Sequence, residues 1–368
     1  MTLTGAGARH ASVIGSGPAA LTVAIALARN GWAVQLASSF KRKRISRTRI
    51  DVLSGSTSAI LSGLGISRSD MAAIARPCPG TWSRWGSTAP TTVDYLATLL
   101  GHAWSVERAA FDQLLMGRAV GAGVEIVPIP ETGQTVQLES SGSEGDHWRI
   151  LAFGALSRRT DPQPAQVNDD ELIGLVATMS LGQPIGVIDA RLSIEAVAQG
   201  WVYSVGGRSN LLSFGVITDR IALAGQNPQD MATSLLMQSE RLAPRVAQST
   251  SSLSFHAVPI PCRWLPFRAG SRLLRVGDAQ ASFDPISGRG LWEAIHTGAA
   301  IASALNDGPH QFDAIERDSA TRYRRYLIER LAFYHLALQR FGSGFWQRRC
   351  IGLVPLPAAL EGRPRAGT

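Results

Sequence analysis

A glycine-rich hexapeptide near the start of the chain has the residue types and spacing of a phosphate-binding turn. Residues 15–20 read Gly-Ser-Gly-Pro-Ala-Ala, between a short apolar run at 11–14 and an apolar helix pattern from Leu21. The glycines allow a tight turn and close approach of a pyrophosphate, and the following helix offers free N–H groups and a positive dipole end. The pattern predicts a dinucleotide site. Its expected binding residues are Gly15, Gly17, Pro18, Ala19 and Ala20.

The strand that should follow this helix lacks the acidic residue that commonly binds the adenosine ribose. Its end reads Ala-Ser-Ser at 37–39, and a basic run, Lys-Arg-Lys-Arg, occupies 41–44. We therefore expect the Ser38 hydroxyl, a backbone group or the basic run to hold the ribose. Basic residues beside an adenosine also suit the extra phosphate of NADP, so this motif alone does not exclude NADP as the bound dinucleotide. A solvated loop is the alternative interpretation of the run.

A second segment with chemically suggestive residues lies far downstream. It reads Val-Gly-Asp-Ala at 276–279, Phe-Asp-Pro at 283–285 and Gly-Arg-Gly at 288–290. Gly288 and Gly290 open an apolar helix pattern, whose free N–H groups can stabilise negative charge. The alternative is a strand–turn–helix with incidental glycines.

In this order the two motifs resemble the FAD fingerprints of flavoprotein monooxygenases related to p-hydroxybenzoate hydroxylase, flavin-dependent halogenases and geranylgeranyl reductases. The resemblance implies FAD as the cofactor, with Asp278 at or near the ribityl chain and residues 285–290 beside the flavin ring. It also implies that Arg108, at a helix start, contacts the FAD, which suits an arginine facing a pyrophosphate. The other FAD-binding residues that it implies are Arg49, Gly277, Pro285, Gly288, Arg289 and Gly290.

Three further stretches resemble segments of particular members of this flavoprotein family. Residues 200–204, Gly-Trp-Val-Tyr-Ser, resemble a hairpin of flavoproteins that mature tryptophylquinone enzymes of the quinohaemoprotein amine dehydrogenase and lysine or glycine oxidase type. The helical run at 326–349 resembles the C-terminal part of the same proteins, which hydroxylate a tryptophan in a partner polypeptide. Residues 49–53, Arg-Ile-Asp-Val-Leu, resemble a loop near the flavin ring and put Asp51 in the place of its acid.

The chemistry that this resemblance implies is aromatic hydroxylation. Reduced flavin reacts with O2 to give a C4a-hydroperoxide, an electrophile towards electron-rich rings, while the protein positions the ring and excludes water. Trp201 and Tyr203 share a strand face because their spacing is two. They fit a cavity wall beside the flavin and a plain aromatic core equally well. Asp51 and His256 are candidates for proton handling, and these four residues are the catalytic candidates.

Lysine occurs only at Lys41 and Lys43, so 34 of the 36 basic residues are arginine. A flavin-dependent halogenase needs a lysine in the tunnel between flavin and substrate, whereas we expect both lysines near the adenosine. The sequence therefore predicts that halogenation is unlikely. Residues 151–154, Leu-Ala-Phe-Gly, replace a segment that helps with pyridine nucleotide in relatives. NAD(P)H and a separate flavin reductase thus both stay open as electron source.

Composition limits the partners and the compartment. The formal net charge of +8, with scattered arginines, suits FAD phosphates and an acidic peptide or protein partner better than nucleic acid. Three isolated cysteines make neither a disulfide framework nor a metal-ligand spacing. They fit a reducing compartment, so we expect a cytoplasmic protein without bound metal. No apolar run reaches the ~20 residues that a membrane span needs.

These patterns predict an α/β (α+β) fold with a Rossmann-like FAD-binding lobe, an antiparallel-sheet substrate lobe and a helical C-terminus. Three short apolar segments, at 124–127, 135–138 and 148–153, predict a β-meander in the first lobe, and the tryptophan-rich stretch 77–86 predicts a loop. The expected lobes are 1–160 with 265–310 for FAD, 161–264 with part of 77–100 for substrate, and 311–368 for the helical segment.

The most specific hypothesis is hydroxylation of a tryptophan side chain of a partner peptide or protein during tryptophylquinone biogenesis. One alternative is a hydroxylase of a free small aromatic metabolite, which a closed pocket would favour over a wide groove. Another is a non-oxygenating, geranylgeranyl-reductase-like flavoprotein that reduces an isoprenoid double bond.

Overall fold

The glycine-rich hexapeptide lies between a buried strand and a buried helix, as predicted. The computed structural model describes residues 9–38, 49–97, 101–128, 147–154, 172–180, 190–208, 210–247, 253–270 and 272–351. The strands are β1 (His10–Ile14), β2 (Ala33–Ser38), β3 (Ile50–Leu53), β4 (Ala75–Cys78), β5 (Gly80–Arg84), β6 (Thr91–Asp94), β7 (Ala103–Glu107), β8 (Glu125–Pro128), β9 (His147–Leu151), β10 (Leu172–Ser180), β11 (Leu192–Val197), β12 (Gly200–Gly206), β13 (Leu211–Asp219), β14 (His256–Ile260), β15 (Arg263–Trp264), β16 (Arg268–Gly270), β17 (Leu273–Arg275) and β18 (Ala281–Ser282). The helices are α1 (Pro18–Arg29), α2 (Ser58–Gly63), α3 (Arg68–Ile74), α4 (Arg108–Gly121), α5 (Arg220–Leu223), α6 (Pro228–Met237), α7 (Ala243–Ala247), α8 (Gly290–Asp307), α9 (Phe312–Phe341) and α10 (Gly344–Ile351).

A mainly parallel sheet organises the first lobe, in the order β16-β17-β9-β1-β2-β8. Strand β1 pairs in parallel with β2 on one side and with β9 on the other, with Ile14 opposite Ala37 and Leu151. Helix α1 buries Leu21, Ile25 and most of its length in the core that it shares with α4 and α8. The carboxyl ends of β1, β2 and β9 therefore meet at one edge, where ligands bind in open α/β sheets.

The expected β-meander was wrong. Strand β9 pairs in parallel with β1, and β8 pairs in parallel with β2, so both belong to the Rossmann-like sheet. Such short apolar runs carry too little periodicity to separate parallel from antiparallel pairing. The third predicted strand, at 135–138, lies outside the described residues.

The stretch 77–86 also differs from its predicted loop, because β4 and β5 occupy most of it. Strand β4 is at the edge of the antiparallel sheet β3-β7-β4, where a proline such as Pro77 is tolerated. Strand β5 joins the second large sheet. The predicted helix at 106–120 begins at Arg108, because β7 runs to Glu107.

The second large sheet has the order β14-β10-β13-β12-β11-β5-β6. All neighbours are antiparallel except β11 and β5, so the sheet is mixed. Helix α6 packs Met231 and Leu235 on one face. The opposite face carries Trp201, which packs with Trp346 of α10. The expected bounds of the lobes stay a prediction.

The C-terminal region is helical, as predicted, but it forms two helices separated at Gly342. Helix α9 buries Tyr323, Tyr326 and Tyr334 along one side. It therefore packs against α8 of the Rossmann-like lobe and against β11 of the second sheet. Among the described residues, no helix has the length and apolar character that crossing a membrane requires.

Candidate functional site

The turn after β1 requires glycine at its first position. Gly15 has a φ of +149°, and a Cβ at this residue would lie 2.3 Å from the carbonyl oxygen of Ala152. Its N–H donates to the Ala37 oxygen at 3.0 Å, while the Ala152 N–H donates to the Ile14 oxygen at 2.8 Å. The chain therefore crosses the carboxyl edge of the parallel sheet with no space for a side chain.

Helix α1 begins at this turn with an open N-terminus. Its N-cap is Gly17, which has no side chain to offer, and its first turn contains no acidic residue. Pro18, Ala19 and Ala20 are buried there. An uncapped helix N-terminus supplies free N–H groups and a positive dipole end, which fit a pyrophosphate.

Arg108 lies beside the same turn. It is the first residue of α4, and its Nη2 atom is 3.6 Å from the position that a Cβ on Gly17 would take. The side chain is 24% exposed, and it donates from Nη1 to Asp51 at 3.1 Å and from Nε to Asp112 at 2.8 Å. These two carboxylates hold the guanidinium next to the helix end, where it adds positive charge for a phosphate.

Asp51, on β3, is the centre of a small ion-pair cluster. Its Oδ2 atom accepts from Arg49 at 2.7 Å and from Arg108 at 3.1 Å. Burial opposes ionisation, but the two guanidinium groups outweigh it and hold the pKa of Asp51 below its ordinary value. Asp51 is thus an ionised acceptor at neutral pH and not a proton donor.

The second motif lies against the first one. A Cβ on Gly277 would lie 2.6 Å from the Cβ of Ala19, and the Gly277 N–H donates to Thr297 Oγ1 of α8 at 3.1 Å. The neighbouring Asp278 is half-buried. Burial raises the pKa of Asp278 and the charge of Asp51 adds to this, whereas Arg108 and Arg49 oppose it. The two motifs therefore lie side by side at the sheet edge, and we call the space that they border the cleft.

The remaining predicted FAD residues lie at the end of β2 and around the turn before α8. Ser38 is buried at the carboxyl end of β2, and the basic run that follows it lies outside the described residues. Pro285, Gly288 and Gly290 are exposed in the turn that leads into α8. Arg289 is instead held by Glu329 of α9 at 2.8 Å.

The aromatic candidates lie on the second sheet, and one of them reaches the ion-pair cluster. Trp201 is 1% exposed, and its ring centroid lies 5.9 Å from that of Tyr203 and 6.2 Å from that of Trp85. Burial and the nearby charge of Asp51 raise the pKa of Tyr203 to about 12. Tyr203 therefore stays a neutral phenol near Asp51, and it packs against the same buried aromatic cluster as Trp201.

His256 is not brought to the site. It is exposed on β14, the outer strand of the second sheet, opposite Val176 of β10. Strands β10 and β13 separate it from β12, which carries Tyr203. Its assignment to proton handling therefore has no support from the geometry.

Sequence reasoning missed several residues that shape the site. Asp112 follows Arg108 by one helical turn, which is a readable i,i+4 ion pair. Asp284 lies within the second motif and is fully buried, but the motif's spacing does not predict a role for it. Tyr326 and Tyr334 are eight residues apart on α9, a spacing that puts both on one helix face.

The tyrosines provide a test of burial at alkaline pH. Burial raises the pKa of all five tyrosines, Tyr95, Tyr203, Tyr323, Tyr326 and Tyr334. Since each folded-state pKa exceeds the unfolded value near 10, the resulting stabilisation is complete below about pH 10 and is lost as the pH rises through the folded-state pKa. We expect ultraviolet difference spectra to show little tyrosinate at pH 10 in the folded protein, and about half ionisation in guanidinium. A tyrosine that titrates normally in the folded chain would contradict this assignment.

Comparison with known proteins agrees with this geometry. No family model matches the chain. It is 25% identical over 362 residues to LodB of Marinomonas mediterranea, which is named as an FAD-dependent oxidoreductase, with 92% of this chain and 96% of LodB aligned. The solved structure of CmlS, a flavin-dependent halogenase, matches with a TM-score of 0.77 at 21% identity, covering 93% of this chain and 67% of CmlS.

Two further solved structures show the same fold. The chondrochloren halogenase CndH, a myxobacterial FAD-dependent enzyme, has a TM-score of 0.75 at 20% identity, covering 93% of this chain and 86% of CndH. QhpG, a peptidyl tryptophan dihydroxylase essential for tryptophylquinone cofactor biogenesis, has a TM-score of 0.69 at 21% identity, covering 93% of this chain and 78% of QhpG. The chain therefore has the fold of flavin-dependent halogenases and hydroxylases, and its cleft fits FAD.

Proposed function

We propose that this protein is an FAD-dependent monooxygenase that hydroxylates an aromatic ring, most specifically a tryptophan side chain of a partner peptide or protein. The arrangement that supports the proposal most is the Gly15 turn, Arg108 and Asp278 together at the carboxyl edge of the parallel sheet, with Tyr203 on β12, a strand that contacts β3. Reduced FAD supplies the activation of O2. Two electrons and two protons are consumed as one oxygen atom enters the ring and the other leaves as water.

Each part of the cleft corresponds to one part of the cofactor. The Gly15 turn, the open N-terminus of α1 and Arg108 would hold the pyrophosphate. Asp278 would accept hydrogen bonds from ribityl hydroxyls. The exposed turn at 285–290 would lie against the flavin ring, with the α8 N-terminus beside it. These assignments extend the proposed FAD site from the Gly15 turn to the start of α8.

The chain's own groups have separate roles beside the ring. Tyr203 remains a phenol at neutral pH, so it can donate a hydrogen bond to a polar atom of the substrate. Asp51 remains ionised, but its lowered pKa makes it a weak base, so we assign it to holding Arg49 and Arg108 in place and not to taking the ring proton. Trp201, Trp85 and Trp346 form a buried wall that excludes water behind Tyr203.

Two observations support the choice of a peptidyl tryptophan. QhpG, which acts on a peptidyl tryptophan, shares this fold over most of the chain. The net charge of +8 favours an acidic polypeptide. Halogenases share the fold equally well. However, a halogenase needs a lysine between flavin and substrate. Lys41 and Lys43 both lie outside the described residues, so none of the described residues of the cleft is a lysine.

The test is a product assay with the full chain loaded with FAD. A reductant, either NADH, NADPH or light with a sacrificial donor, is supplied with air, chloride and bromide. The substrates are an acidic tryptophan peptide, the same peptide with phenylalanine in place of tryptophan, and free indole. We expect mass spectrometry to find one or two added oxygen atoms on the tryptophan peptide only.

Each of the other outcomes would indicate a different activity or none. A halogen mass on the peptide or on indole would identify a halogenase. Oxygen added to indole alone would identify a hydroxylase of small molecules. Unchanged substrates with a flavin that is reduced and reoxidised would contradict the proposed reaction.

A further inference from the structure

One buried carboxyl group, that of Asp284, holds the turn that would lie against the flavin. We define the flavin turn as residues 284–290, which lead from β18 into α8. Its first residue, Asp284, is 0% exposed. No step of the proposed reaction uses this carboxyl group, and a buried charge is costly unless it is fully hydrogen-bonded. Its partners therefore indicate what it is for.

Asp284 is bonded both to its own turn and to helix α9. Its Oδ1 atom accepts from the Ile286 N–H at 2.9 Å, and its backbone oxygen accepts from the Ser287 hydroxyl at 2.8 Å. Its Oδ2 atom accepts a hydrogen bond from the hydroxyl of Tyr334, and its own N–H donates to the hydroxyl of Tyr326 at 2.8 Å. One residue thus links the shape of the turn to the position of the helix.

The α9 partners form a single face. Tyr326, Arg330 and Tyr334 follow one another at intervals of four, so they stack along the helix. The Arg330 guanidinium donates to the Tyr326 hydroxyl at 3.4 Å and lies 5.6 Å from the ring centroid of Tyr334. Burial raises the pKa of Asp284, while the hydrogen bonds from Tyr334 and Ile286 and the nearby charge of Arg330 oppose this rise.

A second contact joins the other end of the turn to α9. Arg289 donates to Glu329 at 2.8 Å. Between the two anchors, Ile286 packs against the aromatic cluster that contains Trp201 and Tyr334. The turn therefore has α9 on one side and leaves Pro285, Gly288 and Gly290 exposed.

We propose that the Tyr326–Arg330–Tyr334 face of α9 positions the flavin turn through Asp284, which makes the C-terminal helix a part of the cofactor site. Asp284 and Tyr334 are positioning residues, since they act on the flavin through the turn. This inference rests on the proposed binding of FAD in the cleft. Its consequence is that loss of the Tyr334 hydroxyl weakens the cofactor site and not only the fold.

The experiment compares two buried tyrosines of the same helix. Tyr334→Phe removes the hydroxyl that bonds to Asp284. Tyr323→Phe removes an equally buried hydroxyl, and Tyr323 instead packs its ring on Phe283, with centroids 5.3 Å apart. The FAD dissociation constant of the apoprotein is measured by flavin fluorescence, the bound flavin by visible circular dichroism, and each apoprotein by thermal unfolding.

We expect Tyr334→Phe to raise the FAD dissociation constant about tenfold, as loss of a hydrogen bond to a charged group does, and to change the flavin dichroism. Tyr323→Phe should lower the melting temperature without changing either flavin signal. Asp284→Asn keeps the side-chain volume, and we expect it to reproduce the effect of Tyr334→Phe. It serves in place of Tyr334→Phe should that variant fail to fold.

If Tyr334→Phe binds FAD with wild-type affinity and dichroism, at any melting temperature, the positioning role is overturned. An Asp284→Asn variant that binds FAD as the wild type does would also overturn it. A wild-type chain that binds no FAD would instead refute the proposed function. The two failures are therefore distinguishable.

Discussion

Gly15→Ala should weaken FAD binding strongly. The added Cβ would lie 2.3 Å from the Ala152 oxygen, and the residue has a φ of +149°. Either the turn or β9 must move, and such overpacking with backbone strain costs roughly 3 kcal/mol. Because the turn that moves is the one that approaches the pyrophosphate, we expect the FAD dissociation constant to rise about 100-fold.

A matched control separates this effect from glycine replacement in general. Gly121, the last residue of α4, has open space where its Cβ would be. Gly121→Ala should leave FAD affinity unchanged and stabilise the helix by up to about 1 kcal/mol. Fluorescence titration of both apoproteins measures the difference. If Gly15→Ala binds FAD as tightly as Gly121→Ala, the glycine turn is not the pyrophosphate site.

Arg108→Met should weaken FAD binding by about 10- to 100-fold. The substitution keeps an unbranched side chain but removes a guanidinium that lies beside Gly17 and the open end of α1. Hydrogen bonds to a charged group contribute about 1.5–3 kcal/mol. The same apoprotein titration, repeated at several salt concentrations, measures the loss of the electrostatic contribution.

Arg118 of the same helix is the control for Arg108. It pairs with Asp70 at 2.8 Å with its side chain 40% exposed, so its ion pair is on the surface. Arg118→Met should change stability by less than about 1 kcal/mol and leave FAD affinity unchanged. An equal loss of affinity in both variants would show that Arg108 acts only through the net charge of α4.

The features that local chemistry determines were predictable from the sequence. The turn at Gly15 and the start of α8 at Gly290 follow from glycine spacing between apolar runs, because only certain residues fit such turns. Asp51 and Arg108 were found through resemblance, and the structure brings them together at 3.1 Å. The Rossmann-like lobe, the second sheet and the helical C-terminus were predicted from their local patterns of apolar residues and turn residues.

Features that depend on distant contacts were not predictable. Strand β9 pairs with β1 across a long stretch of chain, and its own residues do not specify that partner. Tyr334 reaches Asp284 from fifty positions further along the sequence. His256 and Tyr203 are both polar residues on strands, and only the fold shows that β12, with Tyr203, contacts β3, whereas β14, with His256, is an outer strand.

We propose that a flavin bound in this cleft transfers oxygen to a tryptophan. The most direct measurement supplies the FAD-loaded, reduced full chain with isotopically labelled O2 and the acidic tryptophan peptide, and then sequences the product by mass spectrometry. The account predicts labelled oxygen on the tryptophan residue, one atom for each hydroxylation. Peptide without label, while the label accumulates only in peroxide and water, would contradict it.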